Sequence, residues 1–306
     1  MSDIRHFLAN CAPGIAWVIV GQPFDVVQVR LQTTISPAAA ADASTSSSLS
    51  SQPRQQFRGA WHCLRSTVAR EGILALWKGG VPQVLLSVPY ASIMFTTYQW
   101  LKPASPPLGS HVTEDYYNGV FAAGCACGVP LTLLQNPLDV WRTRLQTSYN
   151  PGVRGSAVLR GLYADRKALL RGTSITFIRN TLGNGFFFCC YEASTRAWDS
   201  RFSDKNSSGE PYTSVMRTFL RSMACGGITG IAFNGLFHPL MTVRANMQTV
   251  GSEGTPAEVA RGIYRTSGIP GFFRGVSIVL FRSAPVNAAG FGAMELAKRF
   301  LSPNDE

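Results

Sequence analysis

The sequence has few charged residues and lacks the cysteine and histidine patterns of metal sites. Charged side chains make up 15% of its 306 residues, whereas about a quarter is usual in a soluble domain. The seven cysteines have neither zinc-site nor CxxC spacing, and the four histidines form no HExxH-like pair or Ser/His/Asp set. We therefore expect no metal, no other cofactor and no enzyme activity, and we interpret the cysteines as reduced packing residues.

Nucleic-acid binding is not indicated either, although the net charge is +11. The basic residues are spread through Gly- and aromatic-rich segments, without a basic tail or an RNP, zinc-finger or helix-turn-helix pattern. Anionic lipid and an anionic solute remain as partners that would explain the charge. The first residues predict neither a signal peptide nor a transit peptide, so an organelle address is expected within the rest of the chain.

Glycine and proline are frequent, with 29 and 18 residues. Both are common in membrane helices, where small residues allow close packing and prolines introduce bends. A mean hydropathy of only +0.06 is low for helices that face lipid on every side, and it predicts helices with one lipid face and one wet face. We therefore expect a membrane protein with a polar interior.

The strongest signal is a threefold internal repeat. Three segments, residues 23–33, 137–147 and 239–249, align without gaps. Each begins with a proline and ends with a glutamine followed by a threonine. A second anchor follows each segment and ends at Gly79, Gly172 and Gly275. We assign repeats to residues 1–104, 105–205 and 206–306. Repeat one is longer between its anchors by about twenty residues, and the low-complexity stretch near 36–56 predicts a disordered loop there.

Each repeat predicts a long helix, a loop with a short helix, and a second long helix. The predicted long helices cover roughly 5–34, 80–102, 114–147, 173–198, 214–249 and 276–300, and each exceeds the ~20 residues needed to cross a bilayer. Prolines 23, 137 and 239 lie inside helical patterns and predict kinks. The GxxxG pairs Gly124/Gly128 and Gly226/Gly230 predict close helix approach.

The repeated elements Px[DE]xx[KR]x[KR] and aromatic-[KR]-G resemble the mitochondrial carrier family over nearly the whole chain. The resemblance implies an all-α membrane protein, with six transmembrane helices as three tandem two-helix repeats around a central cavity and with short matrix-side helices. It also implies a monomer in the inner mitochondrial membrane that works by alternating access. Cardiolipin is the implied lipid partner at Gly79, Gly172 and Gly275, where helices begin and free N–H groups attract anions.

The resemblance further implies two sets of gating ion pairs. On the matrix side the expected pairs are Asp25–Arg142 and Asp139–Arg244. On the cytoplasmic side they are Glu192–Lys298 and Glu295–Lys102. One pair is missing from each gate, since Met241 would face Gln28 and Gln99 would face Thr195. Both partners are absent together, so no buried charge is left alone, which would be costly.

Three positions match the family's substrate contacts, thirteen residues before the gate positions: Leu86, Arg179 and Arg282. Asn180 follows Arg179 and completes the second contact. An arginine within a membrane is costly unless it faces water or a partner, and its planar guanidinium suits a carboxylate. We therefore expect Arg179 and Arg282 to clamp a small organic anion.

The neutral Asn180 favours one substrate class. Family members that carry amino acids or carnitine tend to have an acid there, whereas a neutral polar residue is typical of carriers of di- and tricarboxylates such as citrate, aconitate and malate, or of oxo acids. Exchange of these anions is the leading expectation. The sequences Gly21–Asp25 (GQPFD) and Arg282–Asn287 (RSAPVN) instead resemble the carnitine and ornithine carriers. A carrier of basic amino acids or acylcarnitine is therefore the alternative, and a non-transporting scaffold relative is a third hypothesis.

Overall fold

The computed structural model describes residues 2–34, 57, 59–104, 114–149, 152–153, 155–202, 211–249, 254–282, 285–286 and 289, and the regular elements found there are helical. In chain order they are α1 (Ser2–Thr33), α2 (Ala60–Glu71), a 3-10 helix (Ile73–Trp77), α3 (Gly80–Leu101), α4 (Glu114–Gln146), α5 (Gly155–Ala164), α6 (Arg166–Leu169), α7 (Thr173–Phe202), α8 (Pro211–Gln248) and α9 (Pro256–Phe272). Helical structure resumes at residue 276 and is described to 282.

The long helices agree with the predicted spans within a few residues. α1, α4 and α8 continue through Pro23, Pro137 and Pro239, so these prolines do not end the helices. The predicted loop near 36–56 and most of the predicted helix 276–300 lie outside the described residues. Among the described helices, α4 is the one that is both long and apolar enough to cross a membrane by length and composition alone.

The chain divides into two compact units. The first contains Met1–Ala91, Leu133–Thr176 and His238–Glu306, and the second contains Ser92–Thr132 and Phe177–Phe237. The helices α3, α4 and α7 therefore each contribute one end to each unit, and α8 is divided at His238. The two units are described separately below.

Among the described residues of the first unit, three apolar clusters are found, one at the short helix of each repeat. In each, an end of a long helix packs against the short helix that follows it in sequence. The first cluster joins Val27 of α1 to Cys63 of α2, the second joins Val140 of α4 to Leu162 of α5, and the third joins Val243 of α8 to Val259 of α9. The amphipathic short helices thus bury their apolar sides against their own repeat.

A ring of three glycines links the repeats of the first unit. Gly79, Gly172 and Gly275 have φ values of +83°, +76° and +89°, a left-handed conformation that favours glycine. A Cβ atom at each would lie 3.2 to 3.5 Å from a side chain of the next repeat. These contacts join Gly79 to Arg142, Gly172 to Gln248 and Gly275 to Gln28. We call these three residues the glycine ring.

The second unit contains the close helix approach that the sequence predicts. A Cβ atom at Gly124 would lie 2.7 Å from the Cα of Gly185, and one at Gly128 would lie 2.5 Å from the Cα of Thr181. Only glycine therefore lets α4 lie this close to α7. At Gly226 and Gly230 nothing among the described residues lies within 4 Å, so their predicted contact remains a prediction.

Candidate functional site

Ion pairs connect the ends of three long helices in the first unit. Arg142 of α4 contacts Asp25 of α1, and Arg244 of α8 contacts Asp139 of α4. All four side chains are largely buried, so each charge depends on its partner in place of water. These contacts join the residues that the sequence predicts to pair, and their role as a matrix gate remains a prediction.

Asp25 also contacts Arg282, which the sequence places at a substrate-contact position. Arg282 Nη1 meets Asp25 Oδ1, while Arg142 Nη2 meets Asp25 Oδ2. The Asp25 side chain is 12% exposed and that of Arg282 is 31% exposed. One carboxylate therefore serves two guanidinium groups, and the cluster carries one excess positive charge. No sequence signal predicts this contact, because the repeat register assigns the two residues to different sites.

The helical segment that carries Arg282 packs directly on α1. The rings of Phe24 and Phe281 lie 6.4 Å apart between centroids. A Cβ atom at Gly21 would lie 3.4 Å from Val286. These two contacts flank the Asp25–Arg282 pair, so packing holds the two charged residues opposite each other.

Arg179 lies in the second unit, where it has an aromatic and a polar neighbour. Its guanidinium carbon lies 4.9 Å from the ring centroid of Phe233, and its Nη1 donates to Asn180 Oδ1 at 2.8 Å. Asn180 in turn donates through Nδ2 to Thr132 Oγ1 at 3.2 Å. The buried Asn180 thus holds Arg179 in place. A clamp formed by Arg179 together with Arg282 remains a prediction.

Leu86, the third predicted contact position, lies in the first unit. The residue is 6% exposed. A leucine this buried contributes to packing. It therefore offers little surface to a solute in this structure, and its contact with substrate remains a prediction.

Lys102 and Glu192, which the sequence predicts for the cytoplasmic gate, lie in one polar cluster around Glu192. Its carboxylate accepts a hydrogen bond from the Tyr116 hydroxyl at 2.7 Å and lies 3.2 Å from Lys102 Nζ and 3.4 Å from Arg196 Nε. The sequence predicts Glu295 for Lys102 and Lys298 for Glu192, and both of these predicted partners lie outside the described residues. The contact of Lys102 with Glu192 therefore differs from the predicted pairing. Arg196 is close because it lies one helical turn after Glu192.

A polar residue before each repeat proline is a feature that the sequence analysis missed. Gln22 Nε2 donates to the Lys78 carbonyl at 2.7 Å, Asn136 Nδ2 donates to the Leu169 carbonyl at 2.7 Å, and His238 Nε2 lies 3.2 Å from the Arg274 carbonyl oxygen. Each thus contacts a backbone carbonyl that lies, in sequence, shortly before a glycine of the glycine ring. The shared position before the proline could have indicated a common role.

Arg30, near the end of α1, is fully buried within a polar network. Its Nη1 and Nη2 contact the Glu71 carboxylate at 2.5 and 3.0 Å, and its Nε donates to the Gln146 carbonyl at 2.9 Å. Lys78 Nζ lies 2.6 Å from the same carboxylate. Burial opposes ionisation of Glu71, but hydrogen bonds from Arg30 and Lys78 outweigh it and hold its pKa below the ordinary value.

A threefold helical array with interhelical ion pairs and helix-borne arginines defines a membrane solute transporter. The chain belongs to the mitochondrial carrier family, since the family model described as mitochondrial carrier protein matches residues 1–105, 114–201 and 216–305. It is a multi-pass protein of the inner mitochondrial membrane with the six-helix tripartite fold of that family. The predicted family, fold class and location are thus confirmed.

Three of the similar proteins are named for amino acids or for carnitine. The mitochondrial basic amino acids transporter of Mus musculus is 30% identical over 300 residues, covering 94% of this chain and 87% of its own length. The mitochondrial glycine transporter of Saccharomyces cerevisiae is 27% identical and covers 97% of this chain and 92% of its own length. The human mitochondrial carnitine/acylcarnitine carrier protein is 27% identical and covers 99% of this chain and 96% of its own length.

These relatives contradict the expected exchange of di- and tricarboxylates or oxo acids. They favour the alternative, basic amino acids or carnitine, and the prediction of tricarboxylate transport is wrong. The physical reason lies at Asn180, whose neutral side chain indicates, from the sequence alone, that no anion is available for a substrate amine. In the structure Asn180 is buried and holds Arg179, so its neutrality does not report on the substrate.

Proposed function

We propose that this chain is a transporter of basic amino acids across the inner mitochondrial membrane, and not an enzyme. The observation that carries the proposal is the 30% identity, over 94% of the chain, to a protein named as a mitochondrial basic amino acids transporter. The GQPFD and RSAPVN sequences support it, because they resemble the ornithine and carnitine carriers. Arg282, partly exposed within the membrane-spanning segments, is suited to bind the substrate carboxylate.

We further propose alternating access as the mechanism. Substrate binding at Arg282 and Arg179 would offset the cost of breaking one gate while the other forms. The pairs Asp25–Arg142 and Asp139–Arg244 would form the matrix gate, and Glu192, Lys102, Glu295 and Lys298 would form the cytoplasmic gate. Each gate then has fewer ion pairs than threefold symmetry allows, and each is easier to open.

The lipid and assembly proposals follow from the family. Cardiolipin would bind at the helix starts that follow the glycine ring, where backbone N–H groups lack intrahelical partners. The repeats would meet at residues 104/105 and 205/206, and the transporter would work as a monomer.

A substrate panel in proteoliposomes tests the proposed function. Purified protein would be reconstituted, loaded with unlabelled substrate, and assayed for uptake of labelled arginine, lysine, ornithine, glycine, carnitine, malate and citrate. We expect uptake of the basic amino acids to exceed that of malate and citrate by at least about tenfold, which corresponds to 1.4 kcal/mol of selectivity. Uptake of malate or citrate at an equal rate would contradict the proposal.

Carnitine or acylcarnitine is the second candidate substrate. The 27% identity to the human carnitine/acylcarnitine carrier protein over 99% of this chain favours it, as does the R-x-x-P-x-N sequence that begins at Arg282. Carnitine also joins a carboxylate to a cationic nitrogen. Uptake of carnitine without uptake of lysine or arginine in the same panel would decide for this candidate.

A further inference from the structure

We propose that the Asp25–Arg282 ion pair is the receptor for a zwitterionic substrate head group, in which Asp25 binds the ammonium and Arg282 binds the carboxylate. The inference rests on the proposed function and deepens it, because it names the anion that a substrate amine requires. In this arrangement Asp25 has two functions, as a gate residue and as a substrate ligand.

The contacts of Asp25 give the starting arrangement. Its Oδ2 is held by Arg142, while its Oδ1 is held by Arg282. Arg282 is the more exposed partner, at 31% against 18% for Arg142. A long side chain with an exposed portion can withdraw from Oδ1, whereas the contact with Arg142 stays in place. One carboxylate oxygen then becomes free for a donor from the substrate.

The net charge of the cluster stays at one excess positive charge when a zwitterion enters between the two side chains. Before binding, the cluster consists of two guanidinium groups and one carboxylate. After binding, the order is Arg282, substrate carboxylate, substrate ammonium, Asp25 and Arg142, so every charge has an opposite neighbour. Since partly buried charges are costly without partners, this exchange loses one ion pair and gains two.

The same arrangement disfavours dicarboxylates. A first carboxylate could bind Arg282, but a second would face Asp25, and like charges at close range repel. The cluster therefore selects for an ammonium group beside a carboxylate. This selection agrees with the proposed substrates, basic amino acids or carnitine, although Asn180 stands where carriers of such solutes tend to have an acid.

Packing contacts hold together the two helical segments that carry Asp25 and Arg282. Phe24 against Phe281 and Gly21 against Val286 lie near the ion pair on the same two helical segments. They hold the backbones together while the Arg282 side chain moves. The substrate ammonium would contact the Asp25 carboxylate, which also binds Arg142. Substrate binding would therefore act directly on an ion pair of the proposed matrix gate.

The test compares lysine with two analogues that each lack one half of its head group. ε-Aminocaproate lacks the α-ammonium, and cadaverine lacks the carboxylate. Dissociation constants would be measured by titration calorimetry on purified full-length protein in detergent. We expect the wild type to bind lysine more tightly than either analogue by roughly ten- to a hundredfold, the range for a charge-assisted contact.

Variants then assign each half to a residue. Asp25→Asn should abolish the preference for lysine over ε-aminocaproate, and Asp25→Glu should restore part of it. Arg282→Gln should abolish the preference for lysine over cadaverine. Asp139→Asn is the matched control, because Asp139 is a gate-position acid whose ion pair in the described part of the chain is with Arg244 alone. This variant should keep both preferences.

The outcomes separate this inference from the proposed function. Lysine binding by an Asp25→Asn variant that keeps the full preference over ε-aminocaproate would show that Asp25 is not the ammonium ligand. An equal loss of this preference in Asp139→Asn would show the same. In both cases the proposed function would stand. A wild type without preference for lysine over ε-aminocaproate overturns the inference whether or not the variants fold. A wild type that binds neither lysine nor carnitine overturns the proposed function as well.

Discussion

Arg30 and Glu71 show how a single ion pair can stabilise the matrix side of this fold. Both side chains are almost inaccessible to water, with 1% and 4% of their surface exposed. Arg30 also donates to a threonine hydroxyl at Thr67 and to the Gln146 carbonyl. The pair therefore connects α1, α2 and α4, and removal of one partner would leave the other charge buried alone.

The first prediction concerns Glu71→Gln. We expect the variant to lower the free energy of unfolding by about 3 kcal/mol at neutral pH, because Arg30 would keep its charge without a carboxylate. The pKa of Glu71 is lowered in the folded protein, so its stabilising effect is present above its ordinary pKa and is lost as the pH falls through the folded value. The difference between variant and wild type should shrink in acid.

Thermal unfolding of the detergent-solubilised protein, followed from neutral pH to below pH 4, measures this effect. Glu258→Gln is a matched control, since Glu258 lies in an exposed capping box in which glutamine also serves. Equal melting temperatures for Glu71→Gln and wild type at neutral pH would contradict the prediction.

The second prediction concerns the thiol of Cys63 on α2. Burial raises its pKa to about 11, although the nearby Arg30 acts in the opposite direction. The thiolate is the reactive form, so Cys63 should resist iodoacetamide at pH 8 in the folded protein and react after unfolding in dodecyl sulfate. Peptide mass spectrometry measures the alkylated fraction at this position. Rapid alkylation in the folded state would show that α2 opens readily.

At the scale of elements, α4 and α7 approach each other through glycines. The GxxxG pair at Gly124 and Gly128 predicted this approach, and the backbone atoms of Gly185 and Thr181 lie where side chains would otherwise be. The sequence could not predict the partner surface, because it depends on which helices become neighbours. The contact predicted for the same pattern at Gly226 and Gly230 remains a prediction, since no described residue lies within 4 Å of either Cβ position.

The third prediction tests this interface. Gly128→Ala should lower the melting temperature by several degrees, since a Cβ atom there would lie 2.5 Å from the Thr181 backbone and overpacking costs about 1–3 kcal/mol. Gly161→Ala on α5 is the control: none of the described residues has an atom within 4 Å of its Cβ position, and alanine favours a helix. We expect the control to melt at or above the wild-type temperature. A Gly128→Ala protein as stable as the control would contradict the close approach.

At the scale of the whole molecule, repetition explains what could be predicted from the sequence. The long helices, their order and the pairs Asp25–Arg142 and Asp139–Arg244 follow from the register of the repeats, since equivalent residues lie at equivalent depths. The contact of Arg282 with Asp25 does not follow from it, because it joins two different positions of the repeat. The substrate class does not follow from the sequence either, because the charge of Asn180 gives no indication of its hydrogen bonds to Arg179 and Thr132.

The fourth prediction applies to transport by the complete protein. Asp139→Arg should abolish uptake of labelled lysine into proteoliposomes, because it would place two cations together where the structure has an ion pair. A second substitution, Arg244→Asp, should restore a measurable part of that uptake by reversing the pair. Arg244→Asp alone should be as inactive as Asp139→Arg. Failure of the double variant, when it folds and binds lysine, would contradict a gating role for this pair.

The glycine ring has a consequence for biosynthesis. Each glycine rests on the repeat that follows it in the circle, and Gly275 of the last repeat rests on Gln28 of the first. A growing polypeptide can therefore form the first two of these contacts in order, but the circle cannot close until the last third of the chain has been made. Assembly of this end should be all-or-none, and a nascent or partly imported chain would need protection for its two unmatched ends until the final repeat arrives.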